Sequence, residues 1–495
     1  MIMTQAQAFL KAQGQLADLS AFVKDATPQT LRLDAVERGL FTRLRQRGHS
    51  LLCAHGAAQG DGDGGDTATT PDGQTCRRRP EPHDRTYRSV CGPLVSGRFV
   101  YGSRAGQQLQ HVPLDARLGL PEGAFAYLLQ DWAQRLCRQG ACAAAAGSLH
   151  ELLGLRPSVR SLEHMSQAVA DSAAAFADSR PTPPAQEEGA LLVFTADGTG
   201  VPLRRPPPPG PRRHPRRGKG AKANKQQLAY VGAAYTSDRF GRTPEQVVQE
   251  LRAPDAVRAP RPRPCHQHVW AEMTQVVEGA AHHGRGALCA HLAAQRRRRD
   301  PSGSQPTVCL CDGERALWDE WLNWFLDPVG ILDIFHVLER LWDAAYCFPA
   351  EQSKAAEQFV TARLRMLLEG RVGGVSSGLR QLGTKHRLRG SKAKTVTQVA
   401  NYLDNHRDFM RSDAYLAAGY AIGSGVAEGA CRHLVKDRLE QTGMRWRVAG
   451  AQAMLYVRAT YLNGAWEAFW EHRIAQEQRR RYGPKAAEPT FDMAV

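Results

Sequence analysis

The stretch that most constrains the fold is residues 307–342, TVCLCDGERALWDEWLNWFLDPVGILDIFHVLERLW. Two short apolar runs, 307–311 and 330–334, have the pattern of buried strands, and the amphipathic segment between them has the pattern of a helix. Each run ends at an aspartate, Asp312 or Asp333. In open α/β sheets, functional side chains collect where strands end. The segment therefore predicts an α/β sheet with acids along one edge.

Two other segments place acids in comparable positions. The run ALLVFTADGTG ends at Asp197, and AIGSGVAEGACRHL carries Glu428 at the start of a predicted helix. Asp197 and Asp312 are each followed by glycine, which lets the backbone turn sharply. Hard divalent cations bind carboxylate oxygens, and two ions about 4 Å apart stabilise both the attacking and the leaving oxygen of a phosphodiester. We expect these acids to meet and to hold two Mg²⁺ (or Mn²⁺) ions.

Each acid also has a simpler structural explanation. Asp-Gly pairs are common in turns, and an acid such as Glu428 is favoured near a helix N-terminus. Asp333 is well placed to cap the helix that follows it, and His336 fits a buried core histidine. The metal hypothesis therefore depends on the acids taken together and on the charge of the chain.

That charge is strongly positive, with a formal net charge of +16. A basic surface that only maintains solubility is the alternative, but the basic residues cluster, which favours a nucleic-acid partner. The Pro/Gly/Arg-rich segment 204–222 cannot bury a core and is predicted to be a disordered basic loop. The candidate DNA-binding residues there are Arg204, Arg205, Arg212, Arg213, Arg216 and Arg217. A second group follows Glu428: Lys436, Arg438, Arg445 and Trp446, with stacking on an unpaired base or burial in the core both open for Trp446.

Several motifs, in order, resemble those of ISKra-type insertion-sequence transposases, DDE enzymes related to the Mutator-like group. They are DGTGVP from Asp197, RTPEQVVQEL, CDGERALW, ILDIFHVLERLW and GSGVAEGACRHLVKDRLEQTGMRW, together with LDARLGLP at 114–121. The resemblance implies an RNase H-like catalytic core, interrupted by a helical insertion before the last acid. It also implies Mg²⁺-dependent cutting and joining of DNA at the ends of a mobile element.

The resemblance assigns roles to individual residues. Asp197, Asp312 and Glu428 would be the catalytic acids and the metal ligands. Asp333 and His336 match a D-x-x-H pattern that follows the second acid and would be auxiliary. Asp333 as the second catalytic acid is the alternative, and we prefer Asp312 because Asp333 already serves the D-x-x-H pattern.

At 495 residues the chain is long enough for several domains. We expect an N-terminal DNA-binding, mainly helical region (1–180) with a β-hairpin near 86–103 and a helix-turn-helix-like segment at 141–168. The first part of the α/β, RNase H-like core would be 188–336, a mixed sheet with helices. A helical insertion (337–418), the last part of the core with C-terminal helices (419–475) and a tail (476–495) would follow.

The expected partners are double-stranded DNA (the terminal inverted repeats of the element and its target) and further copies of the chain, as a homodimer or higher oligomer. The cysteines form no regular framework and no apolar run is long enough to cross a membrane, so we expect a cytoplasmic protein with no membrane partner. The resemblance to insertion-sequence transposases implies that the protein is bacterial and is nucleoid-associated when bound to DNA. Two alternatives to the transposase remain. One is a DNA-binding regulator with a degenerate nuclease fold, and the other is an RNase H-like nuclease that cuts without joining.

Overall fold

The computed structural model describes residues 5–26, 30–102, 109–204, 225–252 and 260–484. The chain divides into two compact units, Met1–Ser172 with Trp466–Val495, and Ala173–Ala465. No helix within the described ranges is both long enough and apolar enough to cross a bilayer.

The first unit is mainly helical and carries two small antiparallel sheets, with strand order β1-β2-β5-β6 in one and β3-β4 in the other. Its helices are α1 (Gln5–Asp25), α2 (Leu33–Ala58), α3 (Pro113–Arg117), α4 (Tyr127–Cys137), α5 (Cys142–Leu153), α6 (Val159–Ser179, which runs on into the second unit) and α18 (Trp466–Tyr482). Its strands are β1 (Thr67–Thr69), β2 (Thr75–Arg78), β3 (His83–Ser89), β4 (Gly92–Arg98), β5 (Tyr101–Gly102) and β6 (Leu109–His111).

The second unit is built on a five-stranded mixed sheet of order β13-β12-β7-β8-β9. Strands β7, β8 and β9 are antiparallel neighbours, whereas β12 pairs in parallel with both β7 and β13. The strands of this unit are β7 (Leu191–Leu203), β8 (Lys225–Ser237), β9 (Cys265–Met273), β12 (Thr307–Cys311) and β13 (Val329–Leu332), with a separate hairpin of β10 (Gln275–Val277) and β11 (Ala280–His282).

The central strands are apolar because both faces of the sheet are covered. Every residue of β12 is buried, and so are the first six residues of β7. The helices of this unit are α7 (Pro244–Arg252), α8 (Gly284–Arg299), α9 (Arg315–Trp324), α10 (Ile334–Ala345), α11 (Lys354–Leu368), α12 (Val372–Lys385), α13 (Gly390–Asn405), α14 (Ser412–Ala417), α15 (Gly425–Ala430), α16 (Asp437–Leu439) and α17 (Val448–Leu462).

The predicted mixed α/β class is confirmed, and the sheet with its helices is compatible with an RNase H-like core. The strand–helix–strand pattern at 307–334 appears as β12, α9 and β13, although Asp333 and Ile334 begin the next helix rather than ending the strand. The stretch 337–418, all of it described, contains helices and no strand. A capping box forms at the start of α7, where Thr243 and Gln246 each accept a hydrogen bond from the other's backbone N–H.

Four features differ from the predictions. Asp197 does not end a strand but lies in the middle of β7, because β8 pairs with β7 along its whole length. Strand β9 and helix α8 were not predicted. The hairpin of β3 and β4 spans 83–98 rather than 86–103. The predicted tail from 476 is helical as far as Tyr482, since α18 is held in the first unit by the hydrogen bond from the Tyr482 hydroxyl to the Leu120 carbonyl, 2.7 Å long.

Candidate metal centre

Strand register brings two aspartates together. Ala196 of β7 pairs in parallel with Cys311 of β12, so the next residues, Asp197 and Asp312, stand side by side where that pairing ends. His336, on the first turn of α10, faces the same place. One ligand atom from each of Asp197, Asp312 and His336 lies within 4.8 Å of the others, and all three residues are half-buried.

Asp197 is held by two donors. The backbone N–H of Gly198 donates to Oδ1 at 2.6 Å, and the Cys431 thiol donates to Oδ2 at 3.5 Å. Burial raises the pKa of Asp197 and the charge of Asp312 raises it further, while the hydrogen bond from Gly198 opposes the rise. A cation beside this pair of carboxylates would relieve the cost of ionising both.

Asp312 is fixed by the start of α9 and by α13. Its Oδ1 accepts the N–H of Glu314 at 2.9 Å, and its carbonyl oxygen accepts the indole N–H of Trp318 at 2.8 Å. On the other side, Nε2 of His406 lies 3.2 Å from the carbonyl oxygen of Gly313. The segment predicted as a helical insertion therefore supports the turn that carries Asp312.

Asp333 has a different environment, although it follows β13 at the same level of the sheet. Its side chain is fully buried and caps α10, with Oδ1 accepting the N–H of Phe335 at 2.9 Å and Oδ2 accepting the Ser424 hydroxyl. Nδ1 of His336 lies 3.4 Å from the same Oδ2. Hydrogen bonding to this carboxylate is the main cause that raises the pKa of His336 to about 9. The expected N-cap role of Asp333 is thus observed.

Glu428 lies in the first turn of α15, as predicted, and is exposed. Partial burial raises its pKa, the charges of Asp333 and Asp197 add to the rise, and that of His336 opposes it. Glu428 is therefore electrostatically coupled to the cluster but is outside the group within 4.8 Å. A π-helical turn, Cys431–Lys436, follows it and carries the thiol that contacts Asp197. Such turns occur frequently at functional sites.

The donor set fits a divalent cation. Carboxylate oxygens are the ligands that Mg²⁺ and Mn²⁺ prefer, and the imidazole of His336 can join them once it has lost its proton. Sequence reasoning missed two residues that hold the acids in place, Ser424 and Cys431. Their spacing could have identified them, because they lie about one helical turn before and after Glu428.

The two basic stretches predicted to bind DNA meet at the end of β7. Nε of Arg204 donates to the carbonyl oxygen of Arg445 at 3.3 Å, and the backbone N–H of Arg204 donates to the carbonyl oxygen of Trp446 at 2.8 Å. The side chains of Arg204 and Arg445 are exposed there, and that of Lys436 is exposed on the π-helical turn. Arg205, Arg212, Arg213, Arg216 and Arg217 lie outside the described residues.

Arg438 is a correction to the predicted group. It is only 1% exposed, and its guanidinium lies 4.7 Å from the ring centre of Trp446, so it is packed in the interior rather than presented to phosphates. Trp446 is half-buried and its indole N–H donates to the carbonyl oxygen of Leu439 at 3.1 Å. These contacts favour a structural role for both side chains.

Comparisons with known proteins give little further information. No protein-family model matches this sequence, and no curated protein matches it. Among solved structures, the chain is similar to the Drosophila P element transposase strand transfer complex, with 11% sequence identity and a TM-score of 0.24, over 72% of this chain and 83% of that chain. A similarity at this TM-score carries no argument about fold or function.

Proposed function

We propose that this chain is a DDE transposase that cuts DNA and joins it in a metal-dependent reaction. The observation that carries the proposal is the convergence of Asp197, Asp312 and His336 within 4.8 Å, from three elements far apart in sequence. Glu428 would be the third acid. The charge of Asp197 contributes to its raised pKa, which supports this assignment. We assign Asp312 rather than Asp333 as the second acid, since Asp333 is buried and already accepts the Phe335 N–H and the Ser424 hydroxyl.

In this proposal the protein positions two Mg²⁺ or Mn²⁺ ions with Asp197, Asp312 and Glu428. When bound, such ions activate a water or a DNA 3′-hydroxyl and stabilise the leaving oxygen. Gly198 and Cys431 fix the orientation of the Asp197 carboxylate, and the turn into α9 fixes that of Asp312. Asp333 orients His336 against the same two carboxylates. No nucleophilic side chain is required.

DNA phosphates would be bound by the exposed basic side chains of Arg204 and Arg445 at the end of β7, and by that of Lys436 on the π-helical turn. The net charge of +16 supports a polyanionic partner. The motif series supports the ISKra-type family, with terminal inverted repeats and target DNA as substrates. It also supports a dimer or higher oligomer on DNA, and a core of 188–336 and 419–475 interrupted by 337–418.

A cleavage and joining assay tests this function. The substrate is a labelled duplex carrying the DNA that flanks the coding sequence, with Mg²⁺ or Mn²⁺, and a second, pre-cut duplex reports joining alone. Asp197→Asn and Asp312→Asn should abolish cleavage yet bind the duplex in a gel-shift assay. The matched control is Asp319→Asn, an exposed acid on α9, which should cut like the wild type.

Cleavage by Asp197→Asn at the wild-type rate would refute the assignment of that acid. Binding without any metal-dependent cleavage by the wild type would instead support the DNA-binding regulator. Cleavage without joining of pre-cut ends would support the nuclease.

A further inference from the structure

A second polar site lies in the same unit, at the opposite end of the sheet from Asp197 and Asp312. It is a cavity of about 230 Å³ where β9 begins, next to the start of β7 and the end of α8. The side chains that matter for its chemistry are Arg180, His266, His268, Gln295, Arg298 and Arg299. No residue of the metal centre lines it.

The cavity carries positive charge that the described residues neutralise only in part. Arg299 is paired with Glu188, at 2.7 Å from Nε to Oε1, so its charge is compensated. Within the described ranges, Arg298 donates to two backbone carbonyls, those of Ala177 and Arg180, which compensate no charge. Arg180 has no carboxylate partner among the described residues. Burial lowers the pKa of Arg180, and the like charge of Arg298 lowers it further.

The cavity also presents an uncharged hydrogen-bonding group. Gln295 is only 8% exposed as a whole residue, and it lines the cavity. A side-chain amide can both donate and accept hydrogen bonds, so Gln295 offers a polar contact to a ligand in the cavity.

The arginine charges around the cavity also act on the neighbouring His268. His268 is 8% exposed, and its Nε2 lies 2.8 Å from Nε2 of His291. Burial is the main cause that lowers the pKa of His268 well below its usual range, and the charges of Arg180, Arg299 and Arg298 lower it further. The segment after α6, the start of β9 and the end of α8 therefore surround one cavity that is positively charged and lined by hydrogen-bond donors.

We propose that this cavity binds a phosphate group, at a site separate from the metal centre. Arginine is the residue best suited to phosphate, since its planar guanidinium makes paired, charge-assisted hydrogen bonds. The volume is below the roughly 300–1,000 Å³ of pockets that enclose a whole small-molecule ligand. The ligand is therefore a free phosphate or a single phosphate of a larger molecule, with the DNA backbone as the second source.

The test titrates the full-length protein with inorganic phosphate by isothermal titration calorimetry at constant ionic strength. Arg180→Gln should weaken phosphate binding about tenfold or more, as expected for a lost charge-assisted contact. Gln295→Leu removes the amide at similar volume and should weaken it several-fold. The control is Arg297→Gln on the same helix, an exposed arginine that does not line the cavity and should bind like the wild type. Melting temperatures establish that each variant is folded.

Duplex DNA distinguishes the two sources. If saturating duplex abolishes phosphate binding, and Arg180→Gln lowers duplex affinity while Arg297→Gln does not, the phosphate is that of the DNA backbone. If duplex leaves phosphate binding unchanged, the ligand is free phosphate. The proposal is overturned if Arg180→Gln and Arg297→Gln do not differ from each other in either phosphate or duplex binding. These readouts need no cleavage activity, so they are independent of the function proposed above.

Discussion

Nδ1 of His336 lies 3.4 Å from Oδ2 of Asp333, one helical turn away at the start of α10. The same carboxylate accepts the N–H of Phe335, so Asp333 is the N-cap of α10 and its side chain also contacts the histidine at the third helical position. One buried carboxylate thus both starts the helix and orients the histidine of the metal centre.

Replacing Asp333 with alanine should destabilise the fold strongly. The variant loses the cap and leaves the buried Ser424 hydroxyl and the imidazole of His336 without their acceptor, so we expect a loss of about 3 kcal/mol in the free energy of unfolding. The control is Ser353→Ala, which removes the half-buried N-cap of α11 and should cost about 1 kcal/mol. Urea denaturation measures both, and equal losses would contradict the central role given to Asp333.

Gly313 should tolerate no side chain. A Cβ at this position would lie 2.3 Å from Cε2 of Tyr402, so Gly313→Ala must displace either Tyr402 or the turn that carries Asp312. Disturbing a group that supports a metal ligand commonly lowers metal affinity by about 10–100-fold. We expect that loss for Mn²⁺, measured by electron paramagnetic resonance of the free ion.

The matched glycine is Gly378 in α12, where an added Cβ meets no atom within 4 Å. Gly378→Ala should leave Mn²⁺ affinity unchanged and stabilise the helix by about 1 kcal/mol. Tyr402→Ala in the Gly313→Ala background should restore part of the affinity, and failure to do so would mean that the tyrosine is not the obstacle.

The raised pKa of Glu272 predicts that the free energy of unfolding depends on pH. Burial raises its pKa to about 7, although Trp270 and Tyr456 each donate to its Oε1 at 2.8 Å. The folded state therefore holds a proton that the unfolded chain releases near pH 4.5. Stability from this group is fully present below that pH, falls as the pH rises toward 7 and is then constant, with a total loss of up to about 3 kcal/mol.

The variant Glu272→Gln cannot titrate and still accepts hydrogen bonds at Oε1. Its free energy of unfolding, measured by urea denaturation from pH 5 to 8, should lack the decline attributed to Glu272. A decline of the same size in both proteins would assign it to other groups.

Arg445 should contact DNA phosphate, because it is exposed beside Arg204 at the end of β7. Arg445→Gln should weaken duplex binding for all sequences alike, and the slope of log affinity against log salt should fall by about one. Fluorescence anisotropy over a salt series measures the slope. Lys354→Gln, at the exposed start of α11, is the control, and an equal change in both variants would show only a general charge effect.

Local sequence pattern was sufficient for several elements. The apolar run of β12, the amphipathic face of α9 and the capping box of α7 each follow from side chains close together in sequence. Strand β9 was missed because it begins with the exposed polar residues 265–267 and lies at the edge of the sheet. Helix α8 was missed because its buried residues, Leu288, Cys289 and Leu292, form a narrow stripe in a chain otherwise rich in arginine.

The sequence alone determined which chemical groups are available: acids after apolar runs, a D-x-x-H pattern at a helix start and an excess of positive charge. Only the tertiary structure decided which of them meet. Asp197 stands beside Asp312 because β7 and β12 pair in parallel with Ala196 opposite Cys311, and a shift of one residue would turn the side chains to the other face. Packing between distant segments also brought His336 to the aspartates and enclosed Arg438. A short stretch of chain determines neither strand register nor burial, so these contacts could not be predicted from local sequence.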